Sequence, residues 1–279
     1  LSESSCSVIL RRRHRRRRAS AHNSRVRRVL EGSRSLQLVR LGFSCNNACA
    51  FCAQGNLRST EPPTTEEEVR RLLSSVSGQV VAFVGGEPTL YDGLLDWIRE
   101  AKRAGARSVL VQTNGRRLAY TRYAAALAEA GTNALDISLH GSSPAMHEYH
   151  TSVPGSFAQT LTGIAHAREA GMAVGVSVVV TRSNFRHLTD IVRVAHARGA
   201  TAVHFAMVAP FGRASEAQTR LVPPAELVRP YLLSALRWAR SLGMETLAHH
   251  HASSESVRDR FAGLGDVAPP ATNAVRQHP

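Results

Sequence analysis

The sequence predicts an α/β fold in which strands and helices alternate, a partial (β/α)6 TIM-like barrel. Five segments with the apolar spacing of a helix end in a glycine that is followed by a strand-like apolar run. Glycine commonly caps a helix C-terminus, because the left-handed conformation brings it no Cβ clash. The runs are apolar almost throughout, which is typical of parallel strands buried on both faces. An open parallel sheet has the same periodicity and remains the alternative.

The strands follow from these runs and glycines. Runs near residues 36–43 and 80–84 give the first two strands, and four more complete six βα units by Val208. A weaker run, METL, follows the last glycine. Such units are joined by right-handed crossovers. The helix-ending glycines are Gly105, Gly131, Gly171, Gly199 and Gly243.

Three helix N-termini carry sequence signals. Thr65 with Glu68, and Ser156 with Gln159, have the spacing of a capping box, in which two side chains satisfy two free backbone N–H groups. Asn184 precedes a third apolar-periodic segment and is predicted to cap it. We therefore expect helices after strands one, four and five to begin at these positions.

The N-terminal 34 residues differ from the rest of the chain. They hold eleven Arg and only two acids, so most of the net charge of +14 lies there. Residues 11–18 are Arg throughout except for one His. Such a run repels itself, which predicts a disordered Arg-rich arm over residues 1–34. It is either an extension without function or a segment that binds RNA or anionic lipid by neutralising phosphates.

The C-terminal residues 215–279 are predicted to hold one helix and a weakly ordered tail. The tail includes a His triplet at 249–251, interpreted as solvated, and a short helix near 254–261. No apolar run approaches the roughly 18 residues of a membrane span. The sequence therefore predicts a soluble, cytoplasmic protein.

Three of the four cysteines form a C-x3-C-x2-C group of Cys45, Cys49 and Cys52 directly after the first predicted strand. An odd cluster of close neighbours is a poor disulfide framework and indicates a metal in a reducing compartment. Structural zinc takes four ligands, and no fourth Cys or His lies within short loop spacing. Three thiolates are able to hold an iron-sulfur cube that leaves one iron open to a ligand.

Polar groups follow the other strands as well. In a parallel β/α barrel, residues after the strands meet at the C-terminal face. The turn of Gly85, Gly86 and Glu87 offers backbone carbonyls and a carboxylate that suit an ammonium group, and glycine allows close approach of the backbone. Further polar residues at strand ends are Thr113, Asn114, Ser138, His140 and Asn184. The segment 146–157 after strand four is predicted to be a loop that borders a substrate pocket.

The cysteine group with Phe51 before its last member, and the GGEP turn after the next strand, resemble the radical S-adenosylmethionine (radical SAM) superfamily over about residues 36–214. The resemblance implies a core domain at 35–214 of the radical SAM barrel type. It implies that Cys45, Cys49 and Cys52 ligate a [4Fe-4S] cluster whose open iron chelates SAM. The SAM contacts that it implies are Phe51, Gly85, Gly86, Glu87, Thr113, Ser138 and Asn184.

Members of this family use one electron to cleave SAM reductively to a 5′-deoxyadenosyl radical, which abstracts hydrogen from a substrate. The resemblance therefore implies an electron donor such as flavodoxin or ferredoxin and an unidentified substrate, a peptide or small metabolite. No Cys follows Cys52, which disfavours close kinship with members that carry further clusters, among them peptide maturases. The alternative is a nucleic-acid-binding protein with the basic arm and a structural Cys metal knuckle.

Overall fold

The computed structural model describes residues 36–249, in which seven strands form one parallel sheet. Strand order in the sheet follows chain order, and each neighbouring pair is parallel. The predicted α/β class with a partial barrel is confirmed. The strands are β1 (Leu36–Arg40), β2 (Val80–Val84), β3 (Ser108–Thr113), β4 (Ala134–Ser138), β5 (Ala173–Val180), β6 (Ala202–Met207) and β7 (Glu245–His249).

Helices connect successive strands and pack against the sheet. They are α1 (Glu66–Leu73), α2 (Leu94–Arg103), α3 (Thr121–Glu129), α4 (Pro144–Thr151), α5 (Ser156–Glu169), α6 (Leu188–Ala197), α7 (Gln218–Leu221) and α8 (Ala225–Ser241). Apolar side chains on these helices meet the outward-facing residues of the strands in one large core, which includes Phe83, Ile98 and Ile164. This core fixes the spacing of the strands, whose ends carry the polar residues.

The five glycines that were predicted to join helices to strands all have positive φ, between 74° and 112°. The prediction of five helix-to-strand joints is confirmed. The weak run after Gly243 is a regular strand, β7, which pairs with β6. The sheet therefore has one strand more than the six predicted, because α8 returns the chain to the edge of β6.

Of the predicted caps, only the first is present. Thr65 Oγ1 accepts from the backbone N–H of Glu68, whose carboxylate accepts from Thr65 N. Ser156 is the first residue of α5 rather than its cap, since its hydroxyl pairs with that of Thr151 at 2.7 Å. The side chain of Asn184 does not cap α6, because it turns back toward β4 and β5. Both of these capping predictions are wrong.

The inner face of the sheet is layered. Small apolar residues fill the lower part of the barrel as a second cluster, separate from the large core. Further along the same strands, on the same face, polar side chains replace them: Gln112, Asp136 and His204 two residues on, and Ser177 four residues on. A cavity opens above this polar layer, at the carboxyl ends of the strands. The apolar layer closes the other end, so ligands reach the barrel from one side.

No helix within residues 36–249 has the length and hydropathy needed to cross a membrane. The Arg-rich arm, the short helix near 254–261 and two residues of the His triplet were sequence predictions that lie outside the described residues. His249 of that triplet ends β7.

Candidate active site

A cavity of about 430 Å³ lies at the carboxyl ends of the strands and brings together most of the predicted site residues. Glu87 and Asn184 are the two predicted residues that do not line it; both side chains are completely buried behind its wall. The predicted residues that line it are Cys45, Cys49, Phe51, Cys52, Gly85, Gly86, Thr113 and Ser138.

The three cysteines are free thiols on one wall of the cavity, each partly buried. Burial, together with the neighbouring charges of Cys52 and Cys45, raises the pKa of Cys49 to about 12. Burial likewise raises the pKa of Cys45. The three sulfurs are therefore close enough for their thiolate forms to repel one another. A bound cationic group would reduce that repulsion.

The cysteine loop is attached to the barrel by backbone hydrogen bonds. The N–H groups of Ala48 and Ala50 donate to the last carbonyls of α4, those of Thr151 at 2.9 Å and His150 at 3.1 Å. On the other side, the N–H of Arg213 donates to Cys52 O at 3.2 Å. A loop without regular structure is thereby held in one geometry by segments that follow β4 and β6.

The glycine turn after β2 presses directly against the chain that leads into the cysteines. Gly86 N donates to Gly42 O at 2.9 Å, and Glu87 N donates to Ser44 O at 2.7 Å. A Cβ atom at Gly86 would lie 2.2 Å from Ser44 O and 2.4 Å from Phe43 O. Glycine is therefore required here for contact between the two segments, which places backbone atoms of the turn in the cavity wall.

The Glu87 carboxylate, predicted to receive an ammonium group, is already engaged. It accepts four hydrogen bonds, from Thr89 N and Oγ1, Thr113 Oγ1 and Asn114 N, at 2.6 to 3.1 Å. Burial raises the pKa of this carboxyl, and the hydrogen bonds, led by that from Asn114, act in the opposite direction. The structure thus uses Glu87 to tie the end of β2 to the end of β3.

Asn184 holds neighbouring backbone groups. Its Oδ1 accepts from Thr181 N at 2.8 Å, and its Nδ2 donates to His140 O at 3.0 Å and to Val179 O at 2.9 Å. These bonds use the amide fully and link the ends of β4 and β5. The residue that they place in the cavity wall is His140.

The segment 146–157, predicted as a loop, contains most of α4 and the start of α5, so that prediction is wrong. Ser143 caps α4 by accepting a hydrogen bond from Met146 N, a cap that was not predicted from the sequence.

His147 and His150 are buried beneath the cavity rather than lining it. Burial lowers the pKa of His147 to about 4, so this imidazole is neutral at pH 7. It accepts from the backbone N–H of His140 at 3.1 Å.

His140 faces the cavity beside the cysteine loop. Its ring meets that of Phe51 edge to face, with centroids 4.8 Å apart. Burial lowers its pKa well below the ordinary value. Its Nδ1 accepts from Val179 N at 3.2 Å, so in the neutral ring the proton lies on Nε2. The cavity therefore gains a fixed, uncharged hydrogen-bond donor.

The polar layer at the cavity floor was not predicted as part of the site. Ser177 Oγ donates to Asp136 Oδ1 at 2.5 Å and lies 3.2 Å from His204 Nδ1, while Gln112 Nε2 donates to Asp136 Oδ2 at 3.1 Å. Gln112, Ser177 and His204 line the cavity. A polar residue inside an otherwise apolar parallel strand is the sequence signal that could have identified this layer.

Within residues 36–249, no group of three His, Cys, Asp or Glu side chains has the arrangement of a single metal-ion site. Comparison with known proteins identifies the family to which this site belongs. The family model of the Radical SAM superfamily matches residues 39–208, which contain the cysteines and the glycine turn. The chain belongs to the radical SAM superfamily. Enzymes of this superfamily use a [4Fe-4S] cluster and S-adenosylmethionine, as the resemblance implied.

Two curated relatives show how much of this chain resembles known enzymes in sequence. The AdoMet-dependent heme synthase of Oleidesulfovibrio alaskensis is 30% identical over 206 residues, 72% of this chain and 53% of that protein. The PqqA peptide cyclase of Rhodopseudomonas palustris is 30% identical over 190 residues, 67% of this chain and 50% of that protein. The chain thus spans about half the length of the curated relatives it matches. A peptide cyclase is among these relatives, although no Cys follows Cys52 in this chain.

Streptococcus suis SuiB bound to S-adenosylmethionine has a similar fold. Its TM-score to this chain is 0.63, with 13% sequence identity over 91% of this chain and 57% of that one. At this level of identity the similarity concerns the fold alone, and it agrees with the partial barrel found here.

Proposed function

We propose that this chain cleaves S-adenosylmethionine reductively to a 5′-deoxyadenosyl radical that abstracts hydrogen from a substrate. The observation that carries the proposal is the placement of three free thiols and a glycine turn around one cavity in a chain of this superfamily. Because this chain matches only about half the length of these relatives, their net reactions are not carried over to it.

The residues present fit a [4Fe-4S] cluster. Cys45, Cys49 and Cys52 supply three soft sulfur ligands on one wall, and the rise in the pKa of Cys49 shows how strongly that wall disfavours bare thiolates. Iron stabilises the deprotonated ligands, as in other cysteine metal sites. When bound, the cluster supplies one electron and an open coordination position. The protein holds the ligands in place and limits the access of water.

The cavity wall next to the cysteines is the proposed SAM site. The backbone carbonyls of Gly85 and Gly86 receive the methionyl amine, while Glu87 stays behind them and keeps the turn in place. Ser138 offers a partly exposed hydroxyl for the ribose or carboxylate. Phe51, whose ring is held against His140, packs beside the adenosyl group. Thr113 and Asn184 support the wall through Glu87 and His140.

The polar floor formed by Gln112, Ser177 and His204 is the proposed substrate side. These residues lie on β3, β5 and β6 and line the same cavity as the cysteines. The named reactions of the relatives, heme synthesis and peptide cyclisation, involve different molecules, so residues of this floor set specificity. The electron comes from a reduced donor protein such as flavodoxin or ferredoxin, in a reducing cytoplasm that keeps the three cysteines from forming disulfides.

The test is anaerobic reconstitution with iron and sulfide, followed by dithionite and SAM. We expect about four irons per chain and release of 5′-deoxyadenosine and methionine. The Cys49→Ala variant should keep its fold, as measured by circular dichroism, and lose SAM cleavage, because a loop ligand adds little to the barrel core. One tightly bound zinc and no deoxyadenosine would refute the proposal in favour of a structural knuckle. The comparisons do not favour that alternative.

A further inference from the structure

Two guanidinium groups donate hydrogen bonds to the cysteine loop. Arg116, which follows β3, donates from Nη1 to Asn46 O at 2.5 Å and to Asn47 Oδ1 at 3.0 Å. Arg58, which follows the loop in the chain, donates from Nη1 to Asn47 O at 2.6 Å. Asn46 and Asn47 lie between the first two cysteines of the group. Both positive charges therefore contact the loop beside the proposed cluster.

These charges are not neutralised within the part of the chain that the structure describes. There, no carboxylate comes within 4 Å of either guanidinium. The remaining bond of Arg116 runs from Nε to Oε1 of Gln159, a neutral amide, at 2.6 Å. Both arginines are partly buried, so solvent screens their charges less than it screens a fully exposed pair.

Arg58 also lines the same cavity as the three cysteines. Its positive charge therefore lies beside any negatively charged group that these sulfurs hold.

We propose that Arg58 and Arg116 are positioning residues that also stabilise the reduced state of the cluster. The proposal rests on the proposed function. Three thiolates on a doubly positive iron-sulfur core leave one net negative charge, and one-electron reduction adds a second. A fixed cation nearby attracts the more negative state more strongly, which raises the midpoint potential. Both arginines therefore favour uptake of the electron that reductive cleavage of SAM requires.

The hydrogen bond and the charge are separable by substitution. Arg58→Gln keeps a donor for Asn47 O but removes the charge, whereas Arg58→Lys keeps the charge without the planar fork. Arg116→Gln makes the same change on the other side of the loop. Arg71→Gln, on the exposed face of α1 and absent from the cavity lining, is the matched control for loss of one positive charge.

The experiment is a redox titration of the reconstituted full chain, followed by electron paramagnetic resonance of the reduced cluster. We expect a more negative midpoint for Arg58→Gln and Arg116→Gln, a larger shift for the double variant, and unchanged values for Arg58→Lys and Arg71→Gln. Iron content should stay near that of the wild type. Raising the salt concentration should reduce the shifts, as expected for charges near solvent.

Three outcomes would overturn the inference. Unchanged midpoints in both Gln variants at full iron content would show that the charges have no effect. Equal shifts in Arg58→Gln and Arg58→Lys would assign the effect to the guanidinium geometry alone. Loss of iron in both Arg58 variants would show that Arg58 only holds the loop in place and does not tune the potential of the cluster. If the wild type itself assembles no four-iron cluster, the proposed function fails instead.

Discussion

The contact between the glycine turn and the cysteine loop predicts a large effect of Gly86→Ala. The new Cβ would lie 2.2 Å from Ser44 O, whereas Cβ contacts below 3.0 Å are essentially never observed, so the two segments must separate by about 0.8 Å. Such a shift would stretch the hydrogen bonds from Gly86 N to Gly42 O and from Glu87 N to Ser44 O beyond useful length.

The cost can be estimated from these contacts. Two lost hydrogen bonds contribute about 1 kcal/mol each, and the backbone strain of an overpacked site adds about 1–3 kcal/mol. A total of about 4 kcal/mol corresponds to a fall in Tm of roughly 10 °C for a domain of this size. Ser44 precedes Cys45, so iron content and deoxyadenosine release should fall with stability.

Gly171→Ala is the matched control. Gly171 has a φ of +87°, and a Cβ there would meet nothing within 4 Å. It lies at the joint between α5 and β5, so this variant should cost only the about 1–2 kcal/mol of a left-handed alanine. Thermal unfolding and iron analysis of both variants test the argument. It is refuted if Gly86→Ala loses no more stability than Gly171→Ala and still binds about four irons.

Two further predictions concern the buried residues behind the cavity. Asn184→Ala leaves three buried backbone groups without their partner and should cost about 3 kcal/mol in urea unfolding; a variant of full stability that no longer binds SAM would show direct contact instead. The pKa of His147 is about 4 in the folded state and about 6.5 when unfolded. Between these values the unfolded chain binds the additional proton, so stability is full above pH 6.5 and falls by up to about 3 kcal/mol toward pH 4. His147→Gln should lower this slope, measured by urea unfolding at pH 5 and pH 8, by about one proton, and an unchanged slope would contradict the assignment.

Much of the fold was predictable because it depends on local signals. Glycines such as Gly105 end helices for steric reasons that the sequence displays, and the capping box at Thr65 needs only a spacing of three residues. The prediction failed where tertiary contacts decide. The hydroxyl of Ser156 pairs with Thr151, and the amide of Asn184 reaches the strand ends, although both residue types suit a helix cap. Segment 146–157 lacks a clear apolar period because two of its histidines are buried.

The site was predictable in its chemistry and less so in its geometry. The spacing of the cysteines and the position of the glycine turn after β2 identified the wall that they share. That wall alone did not reveal which polar groups face the cavity. Glu87 was predicted as a ligand contact and Ser177 was not, yet the Glu87 side chain is fully buried and Ser177 lines the cavity. Alternation along a strand separates such cases only once its inner face is known.

The position of Glu87 explains why a turn rather than a carboxylate faces the cavity. A carboxylate next to the thiols disfavours their ionisation, and Glu87 acts on Cys45 in this direction even from behind the wall. Four donors around it keep its charge in place and fix the ends of β2 and β3 at the same time. The backbone of Gly85 and Gly86, the proposed site for an ammonium group, is thereby held in place without a carboxylate side chain in the cavity lining. Such a preorganised backbone site avoids the cost of ordering a flexible side chain when the ligand binds.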